Sequence, residues 1–326
     1  MLLDVLFLIV GLVLILVGAN ALTDGASSLA KRWGMSDLVV GLTVVAFGTS
    51  APELVISVMS AAEGNAGLAI GNVVGSNIFN VCAIAGITAM VRPIKVTRGI
   101  MTADIPLVIL SALVLLAMGN SKLLDGAGEN MLTRVDGIIL LLLFLVFMHH
   151  TFSSAKSGSV DDPAAKDAEA KNKMPLWKSV LWVVAGLAGL IYGGDRFVAG
   201  ASGIASGLGV SDAVIGLTIV AAGTSLPELA TSVTAALKGN PGIALGNVIG
   251  SNIFNIFLVL GCAATVNPLP FGSVGNVDLL VLTGSCMLFW LFGYVYKNKT
   301  ITRLEGGLLA SVYIGYMVWL ILNAAA

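Results

Sequence analysis

The sequence predicts an all-α polytopic membrane protein of ten transmembrane helices, built as two inverted five-helix repeats with broken helices 2 and 7. Three observations predict it: an extreme apolar composition, a long internal repeat, and basic residues gathered on one side. Of 326 residues, 57% are hydrophobic and only 11% charged, with a mean hydropathy of +0.97. Soluble domains carry about 25% charged residues, so the solvent for most side chains here must be lipid. A spanning helix needs roughly 20 apolar residues. Ten such segments can be read, at 2–22, 38–61, 70–90, 100–118, 136–152, 176–200, 211–236, 243–266, 276–296 and 304–323. The first has no basic n-region, its only early charge being Asp4, so it is expected to be a retained span and not a cleaved signal. Cys82, Cys262 and Cys286 all fall inside apolar segments, which suggests neither a disulfide framework nor a metal cluster.

The repeat is the strongest signal. Residues 41–53 read GLTVVAFGTSAPE and residues 216–228 read GLTIVAAGTSLPE. Residues 71–80 read GNVVGSNIFN and residues 246–255 read GNVIGSNIFN, so both pairs are offset by 175 positions. The same offset aligns Gly25-Ala26-Ser27 with Gly200-Ala201-Ser202 and Ser36-Asp37 with Ser211-Asp212. Thr133-Arg134-Val135-Asp136-Gly137 matches Thr302-Arg303-Leu304-Glu305-Gly306 after a shortened loop. Self-similarity on this scale marks a duplicated architecture. It divides the chain into a first repeat over 1–152, a linker over 153–175 and a second repeat over 176–326.

Five spans is an odd number, so the second copy must enter the membrane from the opposite side. Charge tests this. With ten spans, one face receives Lys31, Arg32, Arg92, Lys95, Arg98, Lys156, Lys166, Lys171, Lys173, Lys178, Lys238, Lys297, Lys299 and Arg303. The other receives only Lys122 and Arg134, while Arg196 lies within the sixth segment. The basic face is expected to be cytoplasmic, which puts both termini outside. Repeat-matched positions change charge accordingly: Lys31 and Arg32 match Ser206 and Gly207, Glu63 matches Lys238, and Arg92, Lys95 and Arg98 match Asn267, Pro270 and Ser273. The linker, small and charged without apolar periodicity, reads as a flexible cytoplasmic connection.

Two glutamates, Glu53 and Glu228, sit deep inside apolar segments. An ionisable residue near the bilayer centre costs at least about 2.5–3.5 kcal/mol on insertion scales, so it marks a functional site by default. Here it occurs twice in one motif. Pro52 and Pro227 are expected to free carbonyls near Gly48 and Gly223, and broken helices at matched positions of two halves point to a transport site. Thr49, Glu53 and Ser57 are four apart and share one helix face, as do Thr224, Glu228 and Ser232. On the following segments Asn72, Ser76 and Asn80, and Asn247, Ser251 and Asn255, repeat the spacing. The pairs Gly71 with Gly75 and Gly246 with Gly250 allow close helix approach. Four stripes of oxygen donors are thus expected to converge. Oxygen donors without His or Cys suit hard cations, and two carboxylates balance one Ca²⁺ or two monovalent ions. The plainer reading, hydroxyls and amides as helix glue, competes evenly for any single Ser or Asn but weakly for the duplicated glutamates.

At these residues the sequence resembles the sodium/calcium exchanger family of the calcium/cation antiporter superfamily, in its prokaryotic ten-helix form. The motifs are Gly48-Thr49-Ser50-Ala51-Pro52-Glu53, Gly223-Thr224-Ser225-Leu226-Pro227-Glu228 and the two GSNIFN segments, and the resemblance covers essentially the whole chain. It implies an antiporter that expels Ca²⁺ against inward Na⁺ flow. Glu53 and Glu228 would bind the ions; Thr49, Ser50, Thr224 and Ser225 would add hydroxyl or carbonyl oxygens, with Ala46 and Ala221 in the same ligand set. Ser76, Asn80, Ser251 and Asn255 would complete the sodium sites. The resemblance also implies that the first and sixth helices slide across the other eight, over Gly11, Gly18, Gly25, Gly186, Gly189, Gly193 and Gly194. Potassium-dependent members carry Asp at the position of Asn255, as do some sodium/calcium exchangers, so Asn255 argues against potassium coupling. Proton/calcium exchangers replace the Thr-Ser pair, so the two Gly-Thr-Ser motifs favour sodium over protons.

Other classes fit these residues less well. His149 and His150 are adjacent and cannot form an HExxH zinc site. Asp195 is matched by Asn20, so no pair of membrane aspartates shares a motif for an intramembrane protease. A cation channel would assemble a filter around a symmetry axis, which two halves with broken helices do not suggest; a proton/calcium or other divalent cation exchanger of the same fold is the nearer alternative. The expected partners are transported Ca²⁺ and Na⁺ and the lipid bilayer, with no nucleic acid, no cofactor and no enzymatic activity; a monomer suffices.

Overall fold

Apolar, Ala- and Leu-rich runs with no interior charge fold as long helices, since a helix satisfies its own backbone in lipid. The structure, a computed structural model, describes residues 2–97, 99–124, 126, 128–157, 174–209, 221–272, 274–295 and 299–324. Its helices are α1 (Leu2–Trp33), α2 (Asp37–Thr49), α3 (Ala51–Ala62), α4 (Ala66–Val91), α5 (Ile100–Met118) and α6 (Arg134–Ser157). After the linker come α7 (Leu176–Gly207), α8 (Leu226–Leu237), α9 (Pro241–Val266), α10 (Asn276–Val295) and α11 (Arg303–Ala324). Among the described residues, eight helices are long and apolar enough to span a membrane, or nine with α2 and α3 taken as one broken span. Of the seventh expected span, residues 211–220 lie outside the described residues, as do 158–173 of the linker and Arg98, Lys166, Lys171, Lys173 and Lys297.

Burial sorts the helices. In α9, 94% of the most apolar window is buried, against 17% in α11. Side chains such as Leu145, Val146, Leu304 and Ile314 stand more than half exposed on α6 and α11, which lipid tolerates and water does not. This is a multi-pass, all-helical membrane fold. The helices also outrun the predicted segments: α1 continues to Trp33, eleven residues beyond the expected end at 22. Its polar second half is satisfied locally, Thr23 Oγ1 donating to the Ala19 carbonyl at 2.8 Å and Ser28 Oγ accepting from Ser179 Oγ at 2.8 Å.

The chain forms two compact units, one of Met1–Thr49 with Phe147–Gly250 and one of Ser50–Val146 with Ser251–Ala326. In the first, α1 and α7 run antiparallel along a glycine seam. A Cβ on Gly18 would fall 2.8 Å from the Gly186 carbonyl oxygen, and one on Gly186 would fall 2.5 Å from Leu22 N. Ile15, Ala19, Leu22, Ala26 and Leu29 pack with Val183, Leu190, Val40, Ala235 and Ile243 into one core. Here α2 and α9 run parallel, Gly242 meeting Leu38, Gly246 meeting Leu38 and Leu42, and Gly250 meeting Ala46. Gly246 and Gly250 thus serve as the expected close-approach pair. Their counterparts differ: nothing among the described residues lies within 4 Å of a Cβ on Gly75, and the segment matching Leu38–Ala46 falls at 213–221, largely outside them.

In the second unit, α4 and α11 are antiparallel with Gly86 against the Gly306 backbone, and α6 and α9 are antiparallel with Gly137 against the Gly261 and Thr265 backbone. Two short antiparallel ladders tie its loops, Ile94–Lys95 to Thr300–Ile301 and Met131–Leu132 to Leu269–Pro270. The TRVDG and TRLEG motifs cap α6 and α11: Thr133 N donates to Asp136 Oδ2 at 2.8 Å and Thr302 N to Glu305 Oε2 at 2.7 Å, as a capping box requires. Among the described residues, helices widen into π-helical turns at Gly41–Val45, Phe79–Ile84, Ile100–Asp104 and Phe254–Leu260. The second and fourth of these are repeat-matched.

Candidate cation site

The two motifs with a carboxylate share one backbone device. Helical geometry lapses at Ser50 (φ −84°, ψ 6°) and at Ser225 (φ −94°, ψ 9°), and a new helix starts at the next residue. Pro52 and Pro227 sit in the first turn of α3 and α8, where a missing N–H breaks no helical bond. The prolines therefore open a helix just after each break. This places Glu53 and Glu228 in the first turn of their helices, where the unsatisfied N–H groups and the helix dipole favour negative charge. Both residues are buried, Glu53 at 0% and Glu228 at 1% exposure.

Each carboxylate-bearing segment is pinned by an asparagine of the following helix. In the second unit Asn72 Nδ2 donates to the Glu53 carbonyl at 3.4 Å and to Ser57 Oγ at 3.0 Å. In the first, Asn247 Nδ2 donates to the Glu228 carbonyl at 3.2 Å and to Ser232 Oγ at 3.0 Å. Asn247 Oδ1 also accepts from Thr49 Oγ1 at 3.0 Å. For these two asparagines the helix-glue reading holds. Leaving a buried polar group unsatisfied costs about 1–3 kcal/mol. Asn247→Ala, which removes three hydrogen bonds, is therefore expected to lower the unfolding temperature in detergent more than Asn72→Ala, which removes two. Equal shifts, measured by thermal denaturation of both variants, would contradict this ranking.

The remaining members of the same stripes are different. Ser76, Asn80, Ser251 and Asn255, all in the second unit, are at most 2% exposed. Ser76 Oγ, Asn80 Oδ1, Ser251 Oγ and Asn255 Oδ1 have no hydrogen-bond partner among the described residues. Buried oxygens in this condition are open to a water or an ion, and four neutral oxygens are donors of the kind a hard cation takes. Asn80 and Asn255 lie in the matched π-helical turns of α4 and α9; such turns are frequent at functional sites. Of the other expected ligands, Thr49, Ser50 and Ser225 are buried and Thr224 is half-buried. Ala46 is buried and its carbonyl accepts from Thr49 Oγ1 at 3.4 Å. The side chain of Ala221 lies outside the described part.

One residue escaped the sequence reading. Asn77, fully buried, donates from Nδ2 to the Asn252 carbonyl at 3.2 Å and accepts on Oδ1 from Asn255 Nδ2 at 3.0 Å. It follows Ser76 directly and so falls off the four-residue stripe; its occurrence in both GSNIFN copies was the available signal.

Comparison with known proteins agrees with this geometry. The family profile described as sodium/calcium exchanger protein matches residues 3–152 and 178–322. CaxA of Alkalimonas amylolytica is 39% identical over 320 residues, covering 97% of this chain and 98% of that one. The sodium/calcium exchanger MaX1 of Methanosarcina acetivorans is 32% identical, covering 96% and 97%. A solved structure of the sodium-calcium exchanger NCX_Mj, soaked with 10 mM Na⁺ and 10 mM Sr²⁺, matches with a TM-score of 0.82 at 32% identity, over 97% of this chain and 98% of that one. The chain belongs to the sodium/calcium exchanger family, a family of antiporters and not of enzymes.

Proposed function

We propose that the protein extrudes Ca²⁺ in exchange for Na⁺ by alternating access. Glu53 and Glu228 are the charged ligands. Thr49, Ser50, Thr224, Ser225, Ser76, Asn80, Ser251 and Asn255, with the carbonyls of Ala46 and Ala221, supply neutral oxygens. The observation that carries the reading is the pair of buried glutamates, each in the first turn of a helix that restarts at a matched break. Their combined charge of −2 balances one Ca²⁺ or two Na⁺. Loaded, the site is close to neutral and can reorient; empty, it would carry the charge of two carboxylates through low dielectric, which is costly. That difference is what couples one ion's movement to the other's.

Ten spans in two inverted halves are part of the proposal, with both termini outside and the 153–175 linker cytoplasmic. Helix directions within each unit support it. The antiparallel run of α1 with α7 is what the first spans of two oppositely inserted copies require, and parallel α2 and α9 agree with an alternating count. So do antiparallel α4 with α11 and α6 with α9. The two ladders join loops that this topology assigns to one side each. The name of MaX1 and the Na⁺ and Sr²⁺ used with NCX_Mj favour sodium as the coupling ion and an alkaline-earth cation as cargo.

Purified protein in liposomes preloaded with Na⁺ is expected to take up ⁴⁵Ca²⁺ when Na⁺ is diluted outside. A matched K⁺ gradient should support none. Uptake driven instead by a proton gradient would keep the site but replace sodium coupling with proton coupling, and uptake needing no counter-ion would indicate a channel.

A further inference from the structure

The orientation of Asn255 can be read outward from a backbone carbonyl. The carbonyl of Asn252 can only accept, so the end of Asn77 lying 3.2 Å from it must be the NH₂ group. Asn77 Oδ1 then points the other way, where it meets the side chain of Asn255 at 3.0 Å. Asn255 must offer its own NH₂ there. Its Oδ1 is turned away from Asn77, buried and without a hydrogen-bond partner among the described residues. Two amides in series thus deliver an oxygen, never a nitrogen, at the far end. Hydrogen-bonded amides in a chain also polarise one another, by about 10–30% per bond, which makes that oxygen a better cation ligand. The repeat-matched Asn80 has no such support: neither its Nδ2 nor its Oδ1 is bonded among the described residues. The two halves of the repeat are therefore unlike at this position.

We propose that Asn77 is a positioning residue that locks Asn255 with its amide oxygen toward the transported cation. The inference rests on the reading of Asn255 as a cation ligand given above. Na⁺ is the sensitive probe, because Ca²⁺ affinity follows the charge of its ligands whereas a monovalent ion draws a larger share of its binding from neutral oxygens.

The test is a double-mutant cycle on the half-saturating Na⁺ concentration for Ca²⁺ flux in proteoliposomes, using the unmutated protein, Asn77→Ala, Asn255→Asp and the double variant. Loss of a group that orients a metal ligand typically costs 10–100-fold, so Asn77→Ala is expected to raise half-saturating Na⁺ about tenfold. A carboxylate at position 255 presents oxygen at either end and needs no orienting. In that background the same change is expected to shift half-saturation by less than about threefold, the difference being the coupling the cycle isolates. Equal factors in both backgrounds, or no change in the first, would overturn the positioning role. Should Asn77→Ala fail to fold, Asn77→Leu fills the volume and likewise removes the acceptor for Asn255, so it is expected to raise half-saturating Na⁺ by a comparable factor of about 10–100; an unchanged half-saturation would overturn the role as well. Absence of Na⁺-dependent flux in the unmutated protein would instead overturn the sodium reading of the site, and this inference with it.

Discussion

Glu53→Gln and Glu228→Gln are each expected to abolish Na⁺-driven Ca²⁺ uptake while leaving the protein folded. Glutamine keeps the shape of the side chain and removes its charge. Both residues are buried, at 0% and 1% exposure, where charge is weakly screened and attraction to a cation is strong. Removing one of two charges should weaken a divalent ion far more than tenfold. Folding is predicted to move the other way. A carboxylate at membrane depth costs at least about 2.5–3.5 kcal/mol, so either variant should unfold in ion-free detergent at the same temperature as the unmutated protein or higher. What each should lose is the stabilisation that Ca²⁺ confers by binding only the folded state, which grows with the logarithm of ion concentration over Kd. Thermal unfolding with and without Ca²⁺, beside liposome flux, separates these effects. Undiminished flux in either variant would remove the central claim about the site.

The glutamates were legible because burying them is expensive and doing so twice in one motif is not accidental. The helices α1, α4, α5, α6, α7, α9, α10 and α11 were legible for a related reason, since lipid imposes a composition on what it solvates. Less could be read where the sequence is uniformly apolar. The π-helical turns at Phe79–Ile84 and Phe254–Leu260 shift the phase of a helix, and a shift shows only against an amphipathic pattern. Both α4 and α9 are buried along most of their length, so no alternation of exposed and buried positions reveals the slip. The same blindness hid Asn77. Four-residue spacing groups Asn72, Ser76 and Asn80 together, but it cannot tell that Asn72 spends its amide on Ser57 and the Glu53 carbonyl while Asn80 bonds nothing described. Those fates depend on which helix lies opposite. The C-terminal end of α1 was misjudged because Thr23 and Ser28 look like polar flanks until their hydroxyls are seen bonded within the first unit.

The seam between α1 and α7 yields the other large expected effect. Helices in lipid gain little from hiding apolar surface from one another, so their association rests on close packing. Here the contact is backbone on backbone. A side chain at Gly18 would begin 2.8 Å from both the Gly186 carbonyl oxygen and Leu190 N, too close for either helix to stay in place. Gly18→Leu is therefore expected to cost about 1–3 kcal/mol through overpacking, whereas Gly315→Ala on α11, with nothing described within 4 Å, should stay within about 0.5 kcal/mol. A seam of glycines also lacks interdigitated side chains, so it offers few ridges to hold α1 and α7 in one register. The resemblance put the sliding between these two helices and the other eight, but Gly11, Gly18, Gly25, Gly186 and Gly193 face across the α1–α7 contact itself. If α1 and α7 move along each other during transport, a leucine knob should act as a stop. Turnover should then fall at least tenfold while the half-saturating Na⁺ and Ca²⁺ concentrations stay put, because no ion ligand has been touched. Measured side by side in liposomes, a loss of turnover alone would assign the seam to the moving part of the cycle. A parallel loss of affinity would make it a spacer that merely holds α1 and α7 in place.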